Sequence, residues 1–110
     1  MRKHLMNREQ FDKVLAKHAL WLAKAEGGEC ADLSHANLQG FDLFRANLRG
    51  ADLRYANLNR TFLLGADLRY ADLRGVHFDG ADLGGADLTG AKLWDGALTG
   101  TALDPLRDDY

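Results

Sequence analysis

The chain has 110 residues, 14 Lys and Arg against 16 Asp and Glu, and a formal net charge of −2. That length holds one domain, and that charge excludes a general nucleic-acid binder held by basic side chains. Ala19–Ala23 is the longest uninterrupted apolar run, far short of the roughly 20 residues that span a bilayer.

Met1–Asn7 carries early positive charge, but neither an apolar core nor a small-residue cleavage site follows, so no signal peptide is expected. Cys30 stands alone and cannot staple the fold; a reducing cytoplasm is the expected compartment. Residues 1–30 read as a helix and its lead-in. Asn7 is a good N-cap, Gln10 three residues on completes a capping box, and Met6 with Phe11 forms a hydrophobic staple. Phe11, Val14, Leu15, His18, Trp21, Leu22 and Ala25 make one apolar stripe, with Lys13, Lys17 and Lys24 off it. Gly27-Gly28 is the expected helix end.

From Ala31 to Pro105 the chain divides into fives without an insertion: ADLSH, ANLQG, FDLFR, ANLRG, ADLRY, ANLNR, TFLLG, ADLRY, ADLRG, VHFDG, ADLGG, ADLTG, AKLWD, GALTG, TALDP. The third position is Leu in fourteen units and Phe78 in the other; the first is Ala in ten and the second Asp or Asn in ten. A period of five fits neither the 3.6 of a helix nor the 2.0 of a strand. The chain must therefore turn regularly, so that every third-position side chain points to a common axis. Short fixed periods of this kind build solenoids, in which stacking supplies the core. Gly closes eight units, at a turn that benefits from a missing side chain. Phe41 and Phe78, the bulky inner positions, read as core fillers.

The consensus A(D/N)LXX resembles the pentapeptide-repeat proteins over about 75 of the 110 residues. The resemblance implies an all-β solenoid: a right-handed, quadrilateral, parallel β-helix of about four coils, one unit per side, with the N-terminal helix capping its first coil. Residues 1–30 are then cap and lead-in, 31–105 the β-helix, and 106–110 a C-terminal tail. At the C-terminal end the repeats decay and no helix follows Pro105. The resemblance also implies association there, so a homodimer is expected through the last coil, with Trp94, Leu98, Leu103, Leu106 and Tyr110 near its interface.

Enzyme signatures are absent. Gly85–Lys92 has the outline of a phosphate-binding loop without its Lys-Ser/Thr ending, and the repeat already explains its glycines. Cys30, His35 and His77 share no ligand spacing, so neither a metal nor a cofactor is expected. The second-position Asp residues belong to the repeat, where a short polar side chain can bond nearby backbone.

With four units per coil, Phe44, Phe62 and Leu64 fall on one side at outward positions. Three large apolar groups together mark an interaction surface. Charge is uneven along the axis: Arg49, Arg54, Arg69 and Arg74 form a mid-body belt, while residues 75–110 hold seven Asp against Lys92 and Arg107. The best understood pentapeptide-repeat proteins imitate DNA and bind type II topoisomerases such as gyrase. The resemblance therefore implies an inhibitor or modulator of a bacterial nucleic-acid-handling complex, a topoisomerase or a CRISPR effector, with Asp79, Asp82, Asp87 and Asp95 as mimicking carboxylates. The other reading is an adaptor that docks a protein partner on Phe44, Phe62 and Leu64. This sequence is shorter and less acidic than the DNA-imitating members and lacks their C-terminal dimerising helix.

Overall fold

The structure, a computed structural model, describes residues 6–94. Its single helix, α1, spans Arg8–Leu22. Asn7 accepts the backbone N–H of Gln10 and the Gln10 side chain accepts the N–H of Asn7, so the capping box forms as its residues dictate.

The helix ends earlier than Gly27-Gly28. Ala25 N–H reaches Leu20 O and Lys24 N–H reaches Trp21 O, with Lys24 at φ 57°. That pair of bonds around a left-handed residue is the Schellman stop, here made without glycine. The early stop lets the chain double back: Glu29 N–H donates to Lys17 O. Gly28 serves this reversal, since a Cβ there would lie 2.3 Å from Trp21 N.

From residue 31 the backbone repeats one motif. Each third-position carbonyl accepts the N–H three residues on, from Leu33 O with Ala36 N through Leu88 O with Ala91 N. The fifth residue of every described unit lies at positive φ, whether glycine (Gly40, Gly75) or not (His35, Arg45, Tyr55, Arg60, Tyr70). A tight turn with a left-handed residue at its second centre suits glycine; the non-glycine corners carry a steric cost that the repeat imposes.

Four such turns per twenty residues make each rung four-sided. Nine parallel bridges join residues twenty apart, from Asp32 with Asp52 to Asp72 with Lys92. Residues 31–90 thus form three rungs and 91–94 open a fourth. Residues 95–110, with repeats GALTG and TALDP, lie outside the described residues.

The side chains sort as the period requires. Leu33, Leu38, Leu43, Leu48, Leu53, Leu58, Leu63, Leu68, Leu73 and Leu83 are buried on the axis, with Phe78 among them. Ala51, Ala56, Ala66 and Ala71 are buried beside them, where the small side chain leaves the turn room to close. Phe41, on the first rung, is only partly buried in the core and meets Phe11 of α1 edge-on, centroids 5.6 Å apart.

The helix region meets the first rung through its backbone. On the second rung, Asn57 O, Phe62 O and Arg69 O accept from the rung before. The equivalent carbonyls of the first rung have no earlier rung, and other donors reach them. Met6 N–H donates to Asn37 O at 3.0 Å, Arg8 Nη1 to Asp42 O, and His18 Nε2 to Arg49 O at 2.9 Å.

Of the apolar stripe, Phe11 and His18 are fully buried and Val14, Leu15 and Leu22 partly so, but Trp21 is 42% exposed and Ala25 is exposed. Trp21 lies along the outside of the first rung, 3.4 Å from where a Cβ on Gly50 would sit, and stacks on His18 at 5.4 Å. Its ring covers backbone rather than filling the axis. Ala25 falls beyond the helix stop.

Candidate functional site

The outer surface is organised by the second position. In most units its Asp or Asn oxygen accepts the N–H two residues on, as in Asp32 with Ser34, Asp42 with Phe44, Asn57 with Asn59 and Asp82 with Gly84. This local turn explains the preference for short polar side chains there. Phe62 occupies that position in the second rung and forgoes the bond.

The third side, residues 41–45, 61–65 and 81–85, carries Phe44, Phe62 and Leu64, which are 57%, 53% and 39% exposed. With Asp42 they line one shallow depression. Gly84 makes room below it: a Cβ there would lie 2.8 Å from Leu64 Cδ2. The Arg45 guanidinium lies 5.1 Å from the centre of the Phe44 ring. The three apolar residues expected together are therefore together.

The first and fourth sides are treated differently. Arg54 binds Asp52 through both carboxylate oxygens at 2.9 and 2.8 Å, and Arg74 binds Asp72 in the same two-pronged way. On the fourth side Arg69 grips Asp67 at 2.9 and 2.7 Å. Arg54 also approaches Asp72 of the next rung at 4.0 Å, and Arg69 approaches Asp87 at 3.9 Å. These arginines hold the Asp52, Asp67 and Asp72 carboxyls below the usual carboxylate range, chiefly by hydrogen bonding. The sequence suggests an arginine belt; Arg54, Arg69 and Arg74 instead belong to ion pairs within their own D-L-R units. Arg49 differs, its guanidinium 5.5 Å from the centre of the Tyr70 ring.

Asp79, Asp82 and Asp87 occupy the second, third and fourth sides of the third rung, so they spread over three of its four sides rather than share a face. Thr89 donates to Asp87 from both N–H and Oγ1, which lowers the Asp87 pKa. Asp95 lies outside the described residues. Of the expected dimer contacts, Trp94 is the last described residue and is exposed; Leu98, Leu103, Leu106 and Tyr110 lie outside.

His35 and Cys30 have other engagements than a metal. The His35 ring stacks on Tyr55 at 5.1 Å, and the Cys30 thiol donates to Gly50 O at 3.4 Å. Burial, aided by Asp52 and Asp32, pushes the Cys30 thiol up, away from the reactive thiolate. No group of three or more potential metal ligands occurs among the described residues.

Sequence reasoning missed a second order in the fifth position. Large side chains there lie over the glycine one rung later. A Cβ on Gly75 would stand 2.4 Å from Tyr55, and one on Gly90 would stand 2.5 Å from Tyr70. Arg45 and Arg60 cover Gly65 and Gly80 more loosely, at 3.2 and 3.4 Å. The signal was legible as a large residue followed by glycine at a spacing of twenty.

Comparison with known proteins gives one family. The profile described as pentapeptide repeats matches in eight copies, over residues 29–65, 46–85 and 65–95. Among solved structures the chain is similar to HetL, a pentapeptide repeat protein involved in heterocyst differentiation regulation from the cyanobacterium Nostoc sp. strain PCC 7120. Identity is 38% over 64% of this chain and 39% of HetL, with TM-score 0.46. It is similar to Rfr23 from the cyanobacterium Cyanothece 51142, at 36% identity over 64% of this chain and 42% of Rfr23, TM-score 0.42. A pentapeptide repeat protein of the Arabidopsis thaliana thylakoid lumen shares 33% identity over 71% of this chain and 70% of its own, TM-score 0.33. The chain spans less than half the length of HetL and Rfr23. No curated protein matches.

Proposed function

The chain belongs to the pentapeptide-repeat family, and from that premise we propose that it is a non-enzymatic binding protein whose partner docks on the third side. In this reading it is a right-handed solenoid of about four coils, capped by α1 and resident in the cytoplasm. The observation that carries it is Phe62. The repeat favours Asp or Asn at that position for a bond to its own backbone, and this unit gives the bond up to expose a large apolar ring beside Phe44 and Leu64. Exposed apolar groups gathered in one depression favour contact with a protein.

The partner class proposed from the family resemblance is a bacterial nucleic-acid-handling complex, a topoisomerase such as gyrase or a CRISPR effector. DNA mimicry through Asp79, Asp82 and Asp87 is the second reading. Their spread over three sides of the third rung favours it, because a cleft shaped for a duplex can meet carboxylates from several sides. Pairing of Asp52, Asp67 and Asp72 with arginine counts against extending the mimicry up the body. A homodimer through the C-terminal coil remains part of the proposal, and light scattering at several concentrations and salt levels tests it.

One experiment separates the two readings. Immobilised wild-type protein, the combined Phe44→Ser, Phe62→Asn, Leu64→Gln variant, and an Asp79→Lys, Asp82→Lys, Asp87→Lys variant are each incubated with purified gyrase and with bacterial lysate. Docking on the third side requires capture that survives raised salt and is lost only in the apolar variant. Mimicry requires salt-sensitive capture that is lost in the charge-reversed variant.

A further inference from the structure

Two polar side chains are fully buried among the described residues, Thr61 and His18. Thr61 simply donates to Leu58 O at 2.7 Å, within its own turn. His18 does something less ordinary: it joins the helix to the solenoid through both ring nitrogens. Nδ1 accepts the N–H of Ala31, the first residue of the first rung, at 2.9 Å, and Nε2 faces Arg49 O at 2.9 Å. Accepting at one nitrogen and donating at the other requires a neutral imidazole with its proton on Nε2.

A second proton cannot be accommodated. An imidazolium is a donor at both nitrogens, so Nδ1–H would point at the N–H of Ala31. The surroundings offer little compensation. On α1 the ring stacks on Trp21, and neighbouring Lys17 directs its ammonium to Glu29 at 3.8 Å. On the lead-in, Cys30 gives its thiol proton to Gly50 O. On the first rung, Arg49 contributes its carbonyl to His18 and places its guanidinium over Tyr70. No carboxylate hydrogen-bonds the ring.

We propose that His18 is an acid-operated latch: protonation breaks its bond to Ala31 and lifts α1 from the first rung. The edge carbonyls of Asn37, Asp42 and Arg49, now met by Met6, Arg8 and His18, are then exposed as a solenoid edge able to pair with another chain. The sign follows from the same geometry. Burial lowers the His18 pKa in the docked state, whereas the lifted helix returns it to about 6.5. The lifted state therefore binds more protons. Docking is at full strength above about pH 6.5 and weakens below it, by up to about tenfold per pH unit, until the lowered docked value is passed.

Hydrogen exchange by NMR on the whole chain between about pH 7.5 and 5 tests this, each amide being corrected for its intrinsic rate. The expected result is a fall of about tenfold in the protection of Val14–Leu22 relative to Leu58 and Leu63 of the second rung. In His18→Gln, which keeps an acceptor and a donor but cannot titrate, that pH-dependent fall is expected to vanish. Should the Gln variant fail to dock, the wild-type ring itself decides. A titration of His18 below its ordinary value, from the Nε2–H tautomer, supports the latch. Unchanged α1 protection across the range, an equal fall in His18→Gln, or His18 titrating near 6.5 with the helix still docked would overturn it.

Discussion

The third side of the solenoid and its first and fourth sides share the Leu ladder and its turns, and they differ most on the outside. Leu63 on the third side and Leu53 and Leu68 on the others are all buried to 0% exposure, and their turns are built from the same bonds. Outward, the first and fourth sides tie Asp to Arg, while the third presents Phe62 where the repeat favours a carboxylate. The lesson is separation of tasks. The third and first positions of each unit hold the fold, so the second and fourth positions are free to be changed, side by side, without consulting the core.

The comparison is sharpest where it forbids a difference. Leu63→Ala and Leu68→Ala should each cost about 2–5 kcal/mol, as large-to-small core changes do, and by similar amounts, since the two Leu side chains are equally buried. Denaturant melts measure this; a loss at Leu63 much smaller than at Leu68 would mean the third side is also loosely packed inside.

Corners come next. Gly75 and Gly40 have nearly the same backbone, φ 76° and 75°, but Tyr55 crowds the place of a Cβ on Gly75 and nothing stands within 4 Å of where a Cβ on Gly40 would sit. Gly40→Ala should cost about 1–2 kcal/mol for the left-handed backbone alone. Gly75→Ala should cost more, with the excess removed when Tyr55→Ala is added; a double-mutant cycle measures that coupling.

The ion-paired sides should respond to acid and hardly to anything else. Arg69 lowers the Asp67 pKa below its ordinary 3.8, so that group's contribution is present above about that pH and is lost as the pH falls through the lowered folded value. Thermal melts of wild type and Arg69→Ala should therefore differ slightly at neutral pH and converge in acid, because exposed pairs contribute little.

The smallest effect expected is Phe62→Asn. It restores a side chain able to accept the N–H of Leu64, as Asn57 does for Asn59, and removes a half-exposed ring. Its melting midpoint should stay within about 0.5 kcal/mol of wild type, while partner binding is lost. A large destabilisation would make Phe62 a structural residue and break the comparison.

The period of five determined much of this protein by itself. Once Leu recurs at every fifth residue, only a chain that turns every five residues can bury all of them, and Ala beside Leu follows from the little room left at the turn. Asn7 and Gln10 likewise announced their own helix start, because a capping box is made within four residues. The grouping of Phe44, Phe62 and Leu64 was legible once a rung of twenty residues was supplied.

What lay beyond reach depends on where one backbone meets another. His18 looked like one more member of an apolar stripe; its bonds to Ala31 and Arg49 exist because the first rung lacks a predecessor. Lys24 stopped the helix in place of Gly27, and that early stop let Glu29 return alongside Lys17. Arginine and aspartate counted separately suggested a basic belt, but two-residue spacing within a turn lets Arg69 fold onto Asp67. Local periodicity and the Asp–Arg pairs are written in the sequence because each unit makes its own turn, whereas edges and crowded corners are settled only when rungs stack and bring residues twenty apart into contact.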